Sequence, residues 1–78
     1  AIELSNLEWS SDGKELSVKV KKETHSPESV SFVFGDEWTP LKGFINDVET
    51  DIEKLAPEII SVREIFKAGD VIRIKFDR

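Results

Sequence analysis

Thr39-Pro40-Leu41-Lys42-Gly43-Phe44-Ile45-Asn46-Asp47-Val48-Glu49-Thr50-Asp51-Ile52-Glu53-Lys54-Leu55-Ala56 is the stretch on which the fold class turns. Leu41, Phe44, Val48, Ile52 and Leu55 follow one another at spacings of 3, 4, 4 and 3, with Ile45 widening the stripe. That spacing predicts an amphipathic helix of about four turns. Thr39 can cap its free amides, and Pro40 is tolerated at a first helical position. Ala56-Pro57 would stop it, because a residue before proline avoids helical geometry. Gly43 weakens the first turn by roughly 1 kcal/mol relative to alanine.

The flanking segments alternate with period two. Ile2 and Leu4 share one parity, and Leu7 and Trp9 share the other, so a strand bulged near Ser5 and Asn6 would keep all four on one face. Asp12-Gly13 makes a turn, and Leu16, Val18 and Val20 then alternate with Ser17, Lys19 and Lys21. After a loop through Ser26-Pro27, Val30, Phe32 and Phe34 share a face. Ile60, Val62 and Phe66 do so in the next segment, and Ile72, Ile74 and Phe76 in the last. Lys67-Ala68-Gly69-Asp70 is read as the joint of a final strand pair.

The resulting order is β-β-β-α-β-β. It predicts a two-layer α+β domain, with one helix packed on one face of a five-stranded, mostly antiparallel sheet. A β-grasp-like arrangement, the helix lying across the sheet, fits this order. Residues 1–78 read as one domain, since a chain of this size buries roughly 60–65% of its unfolded surface. No methionine stands at position 1 or elsewhere, which suits a processed chain or a domain excised from a longer protein.

Composition narrows function mainly by exclusion. There is no cysteine, hence no disulfide, thiolate zinc site or thiol chemistry. A cytoplasmic setting is slightly favoured, although a cell-surface one is also compatible. No apolar run approaches the ~20 residues of a membrane span, so no membrane partner is expected. Net charge is −5, and the whole excess lies between Asp36 and Glu58, where seven acids meet only Lys42 and Lys54. His25 is the only histidine and sits in a polar loop. It reads as solvated, since a metal or a general base needs converging partners. Asp47, Glu49, Asp51 and Glu53 step by two along the expected helix, so their carboxylates diverge, and no cofactor or metal is expected.

These features predict a non-catalytic module that binds another protein or serves a structural part in an assembly. The candidate surfaces are the acidic helix face (Asp47, Asp51, Lys54) and the loop carrying Trp38, an aromatic beside two acids. For Trp38 itself the favoured reading is a staple folded onto the first helical turns. The alternative is nucleic-acid binding by a basic sheet face of Lys19, Lys21, Arg63, Arg73 and Lys75, with Glu3, Glu8 and Glu15 available to neutralise it. An open sheet edge would also permit homodimerisation by strand pairing.

Overall fold

Period-two burial runs through the computed structural model, which describes residues 2–77. Among the described residues eight strands form: β1 (Leu4–Trp9), β2 (Glu15–Val20), β3 (Glu28–Val33), β4 (Thr39–Ile45), β5 (Val48–Thr50), β6 (Glu53–Ala56), β7 (Ile59–Glu64) and β8 (Val71–Asp77). They make two antiparallel sheets, one ordered β1-β2-β8-β4-β5 and the other β3-β7-β6. The inner faces meet in one core of Leu16, Val18, Val20, Val30, Phe32, Phe34, Ile60, Val62, Phe66, Ile72, Ile74 and Phe76. This is a β-sandwich, whose inward residues alternate with outward polar ones.

The expected α+β fold is therefore corrected to all-β, and the helix over 41–55 does not exist. Its stripe is not a core stripe: Leu41, Val48 and Leu55 are each more than half exposed. Phe44 lies on the outer face of its sheet beside Arg73, while Ile45 and Ile52 reach the core. Asn46 and Asp47 adopt φ of 51° and 67°. Positive φ at both central residues is what a two-residue hairpin turn requires, and it folds β4 back on β5. Thr39, Ile45, Val48, Thr50 and Ile52 are β-branched, so the segment prefers extended backbone. Pro57-Glu58 turns β6 onto β7.

The segments outside that stretch pair as alternation implies, with one change. β1 and β2 form a hairpin whose register shifts between Ser5 and Glu8, where Asn6 takes φ 54°. The bulge carries Leu4, Leu7 and Trp9 to the inner side. The last two strands do not pair with each other. β7 belongs to the smaller sheet and β8 to the centre of the larger, between β2 and β4. The corner between them is tied down: the Phe66 amide donates to Thr24 Oγ1 at 2.9 Å, and the Gly69 amide to the Val20 carbonyl at 2.8 Å.

Candidate protein-binding groove

Sheet size decides where the sandwich is incomplete. Val30 and Phe32 of β3 line a common hollow with Leu16 and Val18 of β2, so β3 lies across from β2. β1 is one strand further out, and among the described residues no strand of the smaller sheet covers it. The inner side of β1 is consequently only partly shielded. Leu4 is 39% exposed and Leu7 67% exposed despite facing inward.

Between them, β1 and β3 bound a groove of about 380 Å³ with β2 as its floor. Its lining is Leu4, Ser5, Asn6, Leu7, Leu16, Val18, Val30, Ser31, Phe32 and Val33, with no charged residue among them. In a chain that is 35% charged, an uncharged lining of this extent marks a surface suited to apolar contact. Glu28 begins β3 on the parity of Val30 and Phe32, whereas Glu8, paired with Ser17, projects from the outer face of the larger sheet. Glu28 sits directly across the ladder from Glu64, a like-charge pair that weakens local pairing.

The residues expected to form an acidic binding face are dispersed. Asp47 sits in the β4–β5 turn, where its carboxylate accepts a hydrogen bond from Arg73 at 2.6 Å. Asp51 lies between β5 and β6, and Lys54 is on β6 of the other sheet. Trp38 does not staple a helix. It stacks with Trp9 at 5.2 Å between ring centroids and meets Phe76 edge-on at 6.0 Å, closing one end of the core. Trp9, on the face it was expected to share with Leu7, is turned toward the core but remains 47% exposed.

The five candidate phosphate-binding bases do not share a face. Lys19, Arg73 and Lys75 project from the outer side of the larger sheet, and Lys21 follows β2. Arg63 is on β7 of the opposite sheet and reaches Ser29 Oγ at 3.4 Å. Arg73 is already engaged: it forms ion pairs with Glu15 and Asp47, and its guanidinium lies 4.9 Å from the Phe44 ring centroid. Glu15 thus neutralises this face by a cross-strand diagonal. Lys42 pairs with Glu49 at 3.8 Å on the same outer side.

His25 is exposed in the β2–β3 loop. Among the described residues no three His, Cys, Asp or Glu side chains converge on a metal-sized site, and no helix is long and apolar enough to cross a membrane. Sequence reading missed the groove because it needs the two edges placed side by side. The local signal was the uncharged run Ser29-Val30-Ser31-Phe32-Val33-Phe34. Comparison with known proteins brings no match, whether by family model, curated sequence or solved structure.

Proposed function

We propose that the domain is a non-catalytic protein-binding module and that its binding surface is the groove between β1 and β3. The observation that carries this reading is the uncharged lining beneath a half-uncovered β1, with Leu7 67% exposed. Covering such a surface removes apolar area from water, at roughly 25 cal/mol per Å². Interfaces concentrate this gain in a desolvated apolar centre with a polar rim. Here Glu28 supplies an acidic group at the start of β3, which favours a partner with a basic residue at that end.

Selection from a displayed library of random peptides tests it. Clones enriched on the wild-type domain should be lost on Leu7→Asp, which places a charge in the groove at an exposed position. They should be retained on Asp51→Lys, which reverses a charge away from it. Enrichment no greater than on an unrelated protein of similar charge would end the proposal. Equal enrichment on Leu7→Asp would move the site elsewhere.

A further inference from the structure

The geometry points to an extended segment of a partner adding to β3 as a fourth strand of the smaller sheet, its inward side chains filling the groove over β1. This rests on the protein-binding reading above and names the form the partner takes.

A sandwich of two open sheets has four edges, and three of these are blunted. β1 carries the bulge at Asn6. β5 is three residues long. β6 is four residues long, with a register shift between Lys54 and Ala56. β3 alone is long and regular: six residues pair with β7 without a shift. After its first residue, Glu28, it contains no charge, proline or glycine. Proteins normally protect such an edge with charges, bulges or brevity, so a clean edge beside an apolar groove is the feature strand addition needs.

The main chain is oriented for it. The Phe34 amide donates to the Glu58 carbonyl at 3.0 Å, on the β7 side. Main-chain groups alternate sides along a strand, so Ser29, Ser31 and Val33 turn their N–H and C=O groups toward the open edge. Their side chains lie on the outer face, and residues of the added strand facing the other way would lie above Leu4 and Leu7.

Charge selects the partner further. The groove is neutral, so the inward residues of the segment are apolar. At the start of β3, Glu28 faces Glu64 with no base between them in the register. An antiparallel segment brings its C-terminal end beside Glu28, and a lysine or arginine there relieves the acid pair. A second copy of this chain fits poorly. Pairing β3 with β3 of another copy sets the overhanging β1 of each molecule against β2 of the other, since the notch is one strand wide.

The test uses the whole domain and a synthetic peptide of about eight residues, alternating valine and serine and ending in two lysines. Amide resonances of Ser29, Ser31 and Val33 are followed as peptide is added. Binding should shift these three, and N-methylation of the peptide at alternate residues facing β3 should weaken it at least tenfold. Replacing the terminal lysines by glutamates should weaken it severalfold. Ser31→Pro, which removes one open-edge donor at a position where an edge strand tolerates proline, should weaken binding in the same direction and by less.

Equal binding of the N-methylated peptide would overturn strand addition while leaving the binding-module reading intact. Absence of binding by the unmodified peptide would overturn strand addition as well, the library selection then deciding the broader reading separately. A peptide-sensitive dimer in sedimentation would assign the edge to a second copy instead.

Discussion

Asp12 organises the β1–β2 turn through its carboxylate, which accepts from Ser10 Oγ at 2.5 Å and from the Lys14 amide at 3.0 Å. The Ser10 hydroxyl, followed by the Lys14 amide, holds its pKa below the ordinary aspartate value of 3.8. A depressed folded-state value means that the contribution to stability is present above the unfolded value and is lost as pH falls through the folded one. Asp12→Asn keeps an acceptor but does not ionise. Urea unfolding at about pH 6 and about pH 3 should therefore show a smaller acid-induced loss for the variant than for the wild type; identical losses would contradict the assignment. At Gly43 the constraint is steric. A β-carbon there would stand 2.6 Å from Ile52 Cγ2 and 3.4 Å from Ile74 Cδ1. Gly43→Ala should cost about 1–3 kcal/mol in denaturant unfolding, the usual range for overpacking. Adding Ile52→Ala should cost less in the Gly43→Ala background than in the wild type, because the two changes share one space.

The β4–β5 hairpin turns on Asn46, whose side chain does two jobs. Its carbonyl accepts from the Val71 amide at 2.9 Å, and its amide donates to Asp70 Oδ1 at 2.7 Å, fastening the hairpin to the corner that feeds β8. Asn46→Gly keeps the positive φ and loses both bonds, for about 1–3 kcal/mol. Asn46→Ala loses the bonds and adds the left-handed penalty of about 1–2 kcal/mol. Thermal unfolding should rank wild type above glycine above alanine, and alanine above glycine would show that backbone conformation is not the constraint. This hairpin is also where sequence and structure part. Strict alternation in β2, β3 and β8 leaves a single inward face, and Leu16, Val30 and Ile74 are buried where parity puts them. Even the phase slip in β1 announces its bulge. Between Leu41 and Leu55 the apolar residues are divided between inner face, outer face and bulge, so their spacing mimics a helix without a common surface behind it. Asn46-Asp47 was the competing local signal, a dipeptide at ease with positive φ at both positions. The groove was legible only in its parts: Leu7 and the uncharged β3 can be read from the chain, but their adjacency follows from β7 and β8 parting into different sheets.

Because β8 lies at the centre of the larger sheet, the molecule closes on itself late in its sequence. Leu16 pairs with Ile74, and Gly43 also pairs with Ile74, so neither neighbour of β8 is local. Ile74 is fully buried, and Ile74→Ala should cost about 2–5 kcal/mol. Against a total of about 4–12 kcal/mol for a chain of this length, that loss removes a large part of the margin. Ile65→Ala, at a site 51% exposed, should stay within about 0.5 kcal/mol. The same topology governs rate. Loop closure must be completed before distant strand pairs contribute, which places sandwich folding in the range of milliseconds to seconds. Trp9 on β1 and Trp38 just before β4 stack only when the ends of the larger sheet are assembled around Phe76, so tryptophan fluorescence reports this assembly directly. Refolding by rapid dilution from urea should give a fluorescence change on that slow scale. A change complete within microseconds would mean that the two tryptophans meet by local collapse, without β8 between β2 and β4.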